Sequence, residues 1–239
     1  MHAPTFSAAL EPIDPRLLLL AYRQGVFPMA DARDDAEVFW VEPRERAIIP
    51  LDGFRCSRSL AKVLARGSFR VTCDAAFPEV IAECAAPRPA ADGGLEGSWI
   101  SHRIEASYIA LQRRGQAHSI ECWQEDRLVG GLYGVAFDRV FCGESMFSRA
   151  DNASKVALAW LVAGMKAAGY RLLDCQFMTA HLGRMGAVPI PQARYLELID
   201  AAAGPPEARL PLMIADLAAR GDQASSPGKL IAQSLTQTS

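Results

Sequence analysis

The spacing of apolar and polar positions divides the chain into a helical opening, a strand-rich middle and a helical close. Asp14-Pro15 sets a capping acid and a first-turn proline before the apolar stretch Arg16–Gln24, and Gly25 closes it, which predicts a short helix. Phe27-Pro28-Met29 ends that helix, an acidic loop (Asp31, Asp34, Asp35) leads to Val38–Trp40, and Arg46–Pro50 reads as a short strand. Ser57 caps a second predicted helix that runs to about Arg66 and stops at Gly67. Phe69–Cys73 reads as a strand, Ala76–Cys84 as a helix, the Pro-, Gly- and Ala-rich Pro87–Gly97 as a loop, and Ile104–Arg113 as a helix. Three strands follow, His118–Gln124, Leu128–Ala136 and Val140–Gly143, joined by connections short enough for antiparallel hairpins. Ser148-x-x-Asp151 approximates a capping box for a helix Asn152–Ala168 closed by Gly169. Leu172–Phe177 is a predicted strand, Tyr195–Ala202 and Leu210–Arg220 are predicted helices, and the polar end of the chain reads as frayed.

An antiparallel meander followed by a helix and a further strand gives an α+β layer sandwich, with helices on both faces of the sheet. The order resembles the N-acetyltransferase type of sheet, an analogy of fold that carries no chemistry alone. The expected division is a small N-terminal α+β domain over 1–66, a catalytic domain over 67–220 and a flexible tail over 221–239.

Half of the 239 residues are hydrophobic, and the net charge is −2. A nucleic-acid partner would therefore be gripped locally, through a patch. The six cysteines include no Cys-x-x-Cys pair, and none has a histidine at metal-ligand spacing, so reduced thiols are expected. No cationic segment followed by a long apolar stretch opens the chain, and a cytoplasmic protein is expected.

Candidate chemistry concentrates in two segments. In Leu172-Leu173-Asp174-Cys175-Gln176-Phe177, strand alternation puts Asp174 and Gln176 on one face and the apolar residues on the other. Such a carboxylate is either a structural acid bonded to a loop or a proton acceptor beside an orienting amide; the segment alone leaves both open. The run Phe141 to Arg149 sets Glu144, two serines and an arginine among large apolar groups at a strand-to-helix junction, without the glycine of a nucleophile elbow. A hydrolase triad of Ser145, His118 or His181, and Asp174 is a poor reading. Gly130-Gly131-Leu132-Tyr133-Gly134 sits in a meander, which points to close backbone packing rather than a dinucleotide loop. Arg58, Lys62 and Arg66 form one cationic stripe along a helix, either a solvated face or a contact with phosphates. Trp40, Trp99 and Trp123 are core residues or base-stacking platforms.

Several runs, collinear from about residue 14 to residue 200, resemble one family. They are Leu20–Pro28 (LAYRQGVFP), Ser98-Trp99-Ile100, His118–Glu121, Leu128–Val135, Phe141–Lys155 (FCGESMFSRADNASK), and Asp174-Cys175-Gln176 with Gly186-Ala187. Together they look like leucyl/phenylalanyl-tRNA–protein transferase. The resemblance implies an enzyme with no cofactor, neither metal nor coenzyme A. It implies donors Leu-tRNA and Phe-tRNA, and acceptor proteins that begin with Arg or Lys and are marked for degradation. It places Asp174 and Gln176 on a proton-relay pair and Glu144 near the terminal adenosine and the incoming peptide. Trp99 falls on an aromatic that stacks on the adenine, with Tyr108 near the same site. Leu132, Phe141, Met146, Leu158 and Leu161 fall on the pocket for the amino-acid side chain. Arg58, Lys62 and Arg66 fall in the helix that meets the acceptor stem. One departure stands out: many members carry tryptophan after Phe-Pro, where this chain has Met29. Methionine keeps soft apolar contact but loses an aromatic face worth ~1–3 kcal/mol per base.

An aminoacyl ester is already activated, so the peptide's α-amine serves as nucleophile and positioning supplies most of the rate. Asp174 is the expected proton acceptor with Gln176 orienting, and the tRNA 2′-hydroxyl is the rival. The alternatives are an acyl-CoA N-acyltransferase and a non-catalytic adaptor for N-terminal residues.

Overall fold

The computed structural model describes residues 11–89, 95–220 and 226–236. It opens with α1 (Pro15–Arg23), whose cap Asp14 accepts a hydrogen bond from the Arg16 N–H at 2.8 Å. Then come β1 (Phe27–Met29), β2 (Phe39–Val41), β3 (Glu45–Ile49) and α2 (Arg58–Arg66), the last capped by Ser57 and ended by left-handed Gly67. The middle runs β4 (Arg70–Cys73), α3 (Phe77–Ala85), β5 (Arg88–Pro89), β6 (Leu95–Glu96), α4 (His102–Arg113), β7 (Ala117–Gln124), β8 (Arg127–Phe137) and β9 (Val140–Ser148). After α5 (Ala153–Ala167) follow β10 (Leu172–Asp174), α6 (Ala180–Arg184), β11 (Val188–Pro191), α7 (Gln192–Ala201), α8 (Leu210–Ala219) and α9 (Pro227–Thr236).

One seven-stranded sheet in the order β11-β3-β10-β9-β8-β7-β4 organises the molecule. The expected meander β7–β8–β9 is there and antiparallel, but β10 pairs parallel to β9 through the crossover helix α5, so the sheet is mixed. Apolar side chains from α2, α5, α8 and α9 cover one face, and those from α1, α3, α4 and α7 cover the other. The α+β sandwich expected from the sequence is the one formed.

The differences have local causes. The boundary expected between residues 66 and 67 cuts across the sheet, because β3 lies between β10 and β11. Strand β9 runs to Ser148 instead of ending at Gly143, since its partner β8 continues opposite it. The predicted strand Leu172–Phe177 stops at Asp174, and Gln176 adopts a left-handed φ of 60° that turns the chain out of extended geometry. The capping box also fails as read. Asn152 caps α5 in a left-handed conformation without a side-chain capping bond, and the Ser148 hydroxyl accepts from the Ser154 N–H at 3.3 Å. The short α6 and β11 were not foreseen; β11 is an edge strand, where Pro189 and Pro191 are tolerated.

The tail is the largest correction. Residues 227–236 form α9, which buries Ile231 and Leu235 against α2 and α5 instead of fraying. Its Gly228 lies against the end of α2, where an added Cβ would sit 2.1 Å from the Leu64 carbonyl oxygen. The glycines of β8 are close-packed as the sequence suggests, a Cβ at Gly134 falling 2.2 Å from the Cys142 carbonyl. No helix among the described residues is long and apolar enough to cross a membrane.

Candidate active site

The parallel strands β9 and β10 part after the Cys142–Asp174 pair, and a cavity of ≈ 380 Å³ opens between them. Its floor is apolar, built from Leu132 on β8, Met146 on β9, Leu158 and Leu161 on α5, and Leu182 on α6. Met29 and Trp99 stand on its wall, and Glu144 and Gln176 supply polar groups.

Glu144 reaches this wall because the β8–β9 ladder is irregular. Tyr133 pairs with Ser145 and Gly134 with Gly143, so Glu144 is one extra residue on β9 with no partner across the strand. Such a bulge bends the strand and re-aims the side chain. The carboxylate is 8% exposed. Oε1 accepts from the Tyr22 hydroxyl at 2.7 Å, and Oε2 accepts from the Tyr108 hydroxyl at 3.1 Å and from Gln176 Nε2 at 2.8 Å. Burial pushes its pKa up to about 7, against the opposing effect of the hydrogen bonds from Tyr22 and Gln176. All three partners are neutral donors.

Asp174 is placed differently from the expectation. It is fully buried, absent from the cavity wall, and bound to Arg46 through both Oδ1 and Oδ2. Tyr195 donates to its Oδ2 at 3.0 Å and the Gln176 N–H to its Oδ1 at 2.8 Å. Burial works against the Arg46 charge, but Asp174 outweighs it, and the guanidinium pKa is raised. The Arg46 side chain also donates to the Gly25 carbonyl at 3.2 Å and lies 4.3 Å from the Tyr195 ring centroid. With both oxygens engaged on the far side of the strand, Asp174 is not positioned to take a proton from a group in the cavity. The shared face inferred for Asp174 and Gln176 fails for the same reason as the strand. The left-handed turn at Gln176 brings its side-chain amide to Glu144, while its backbone N–H stays bonded to Asp174.

Of the other expected residues, Met29, Trp99, Leu132, Met146, Leu158 and Leu161 line the cavity. Tyr108 does not; it is fully buried beneath Glu144. Phe141 is also fully buried and packs in the same core as Leu158 and Leu161 without reaching the cavity. Arg58, Lys62 and Arg66 are exposed on α2, and none has an acidic salt-bridge partner among the described residues.

Sequence reasoning gave no site role to Tyr22, Arg46 or Tyr195, and weighed His181 only as a member of a hydrolase triad. An arginine on the same strand face as Ile48, directly before the apolar run Ala47–Ile49, was the available signal for Arg46. His181 lines the cavity with its Nε2 unpartnered among the described residues, and burial, then Lys155 and Arg184, lower its pKa. Cys73, Asp74 and His118 bring ligand atoms within 4.8 Å of one another across the β4–β7 pairing. This cluster is already internally paired, Asp74 Oδ2 lying 2.7 Å from His118 Nδ1 and Oδ1 accepting from the Ser119 N–H.

Comparison with known proteins shows the family. Residues 48–200 match the family model described as leucyl/phenylalanyl-tRNA protein transferase, and residues 11–44 match its N-terminal domain. A leucyl/phenylalanyl-tRNA–protein transferase of Novosphingobium aromaticivorans is 57% identical over 95% of this chain and 97% of its own length. One from Rhizorhabdus wittichii is 58% identical over 82% of this chain and 77% of its own. Among solved structures, L-PGS from Bacillus licheniformis aligns at a TM-score of 0.37 and 15% identity, covering 70% of this chain and 55% of that one, too distant to carry an argument. A cavity walled by leucines and one bulge-borne carboxylate thus lies in a chain that the family model matches over residues 48–200 and that is 57% identical to one relative over 95% of its length: it belongs to the leucyl/phenylalanyl-tRNA protein transferase family of enzymes.

Proposed function

We propose that the protein moves Leu or Phe, and Met less well, from aminoacyl-tRNA to the N-terminal α-amine of proteins beginning with Arg or Lys. The product is a cytoplasmic degradation mark. The observation that carries the reading is the apolar cavity with Glu144 and Gln176 on its wall. The donor's side chain enters among Leu132, Met146, Leu158 and Leu161, a volume suited to unbranched-β apolar groups. Leucine floors of this kind discriminate by only ~1–3 kcal/mol per methylene, which leaves room for Met.

The ester carbon then lies at the polar wall, where the acceptor amine is held for attack. Asp174 acts at one remove: anchored by Arg46, it fixes the Gln176 backbone, and Gln176 fixes Glu144. The negative charge that favours Arg or Lys acceptors comes from Glu144 in its ionised form, since that of Asp174 is answered by Arg46. The terminal adenosine stacks on Trp99 and against Met29. Phe39, directly across the strand pair from Met29 and 43% exposed, adds an aromatic edge where the family's tryptophan is missing. The stripe Arg58, Lys62, Arg66 meets acceptor-stem phosphates.

Mixing the protein with radiolabelled Leu-tRNA and an Arg-starting peptide tests this. Label moving to the peptide is the expected result. Peptide capture without transfer would leave an adaptor instead.

A further inference from the structure

The three side chains around the cavity's carboxylate make more contacts than its ionised form has protons for. The Tyr22 and Tyr108 hydroxyls are 2.6 Å apart, Tyr22 is 2.7 Å from Glu144 Oε1, and Tyr108 is 3.1 Å from Oε2. Each phenol carries one proton. If both tyrosines donate to an ionised carboxylate, their own oxygens face each other at 2.6 Å with no hydrogen between them. Protonating Glu144 closes the count. Oε1–H donates to Tyr22, Tyr22 to Tyr108, and Tyr108 to Oε2, which also accepts the Gln176 amide.

Both tyrosines are fully buried and hold their protons: burial, then the Glu144 charge, raises each pKa well above the phenol value. Glu144 is the member of the ring that lines the cavity. The other titratable groups that face it are Tyr133 on β8, Cys142 on β9 and Asp174 on β10, none of them cationic. The buried cation Arg46 is bound to Asp174. The site is therefore built so that a proton on Glu144 is welcome and its loss is inexpensive near neutrality.

We propose that ionised Glu144 is the group that takes the proton from the acceptor amine, and that the arriving proton completes a three-proton ring with Tyr22 and Tyr108. The tyrosines are positioning residues. The inference rests on the transferase reading above. In the step, the amine nitrogen bonds to the ester carbon and the bond from that carbon to the ribose oxygen breaks, the oxygen keeping the electron pair. One proton leaves the nitrogen for Glu144, and Glu144 returns one proton to the released ribose oxygen. No other reactant is consumed, and the carboxylate ends as it began.

The test is single-turnover transfer from Leu-tRNA to an Arg-starting peptide by the full chain, across about pH 6 to 9. For the wild type the rate climbs with ionisation of Glu144 as well as of the amine, whose own pKa is ~8. Glu144→Gln is expected to lose about a hundredfold and keep only the amine's limb. Tyr22→Phe and Tyr108→Phe each remove a donor that favours the carboxylate. Their acid limbs should move to higher pH, with rates down about tenfold at pH ~6.5 and largely recovered at pH ~9. Loss of the same factor at every pH would reduce the tyrosines to packing and overturn the ring, as would Glu144→Gln within about threefold of wild type.

Infrared titration of the wild-type protein keeps the proposal testable where a variant does not fold. A protonated-carboxyl stretch that disappears through about pH 7 supports it, and the absence of any such band overturns it. A wild type that moves no label defeats the transferase reading and this proposal together. Transfer by the wild type with unmoved profiles in the variants defeats the ring alone.

Discussion

Asp174 and Glu144 are two buried carboxylates on adjacent strands, and they are satisfied in opposite ways. Asp174 is bound to a guanidinium, with a tyrosine hydroxyl and a backbone N–H completing its shell. Glu144 sits among two phenols and an amide, with no cation against it. A buried charge with a matched countercharge is held in place; Glu144, with neutral donors only, can change its protonation state near neutral pH. Both are acids in strands with apolar neighbours. Only their partners separate the anchor from the group that can do proton chemistry.

That contrast can be broken from either side. The largest effect is expected from Arg46→Met, which leaves Asp174 without a countercharge: about 3–5 kcal/mol lost in denaturant unfolding, against far less in the double variant Arg46→Met/Asp174→Asn. Next is Glu144→Gln. Because the Glu144 pKa is raised in the folded protein from 4.5 to about 7, its stabilising share is present in full below pH 4.5 and lost as pH rises through 7. The wild type should therefore lose about 3 kcal/mol between pH 4.5 and 8 from this group, a slope that the variant lacks in unfolding curves at the two pH values. Tyr195→Phe removes one hydrogen bond to the charged Asp174, worth ~1.5–3 kcal/mol, and should leave the pH profile of transfer in place. Gln176→Ala cuts the link between the two acids. It should cost ~1 kcal/mol of stability and, by removing a donor to Glu144, shift the acid limb of transfer upward; an unmoved limb would mean that the two sites are independent.

The sequence carried the local features well and the long-range ones poorly. The caps at Asp14 and Ser57 and the stop at Gly67 are readable because each acts within a turn of its own helix. The runs shared with the family hold half of the cavity wall, among them Trp99, Leu132, Glu144, Met146 and Gln176. The Asp174–Arg46 pair spans 128 residues, and no periodicity connects its ends. The extra residue at Glu144 could not be counted without the partner strand, nor the turn at Gln176 without its dihedral. Helix α9 was lost to its polar setting: Ile231 and Leu235 are a short apolar stripe that gains meaning only against α2.

The place of β3 between two late strands has a consequence for how the chain is made. Residues 45–49 pair on one side with 172–174 and on the other with 188–191. During synthesis at ≈ 5–20 residues per second, this early strand waits roughly ten seconds with both edges bare before its neighbours leave the ribosome. Until then it is a hydrogen-bonding template without a match, and the nascent protein depends on shielding of that segment more than on the speed of any later step.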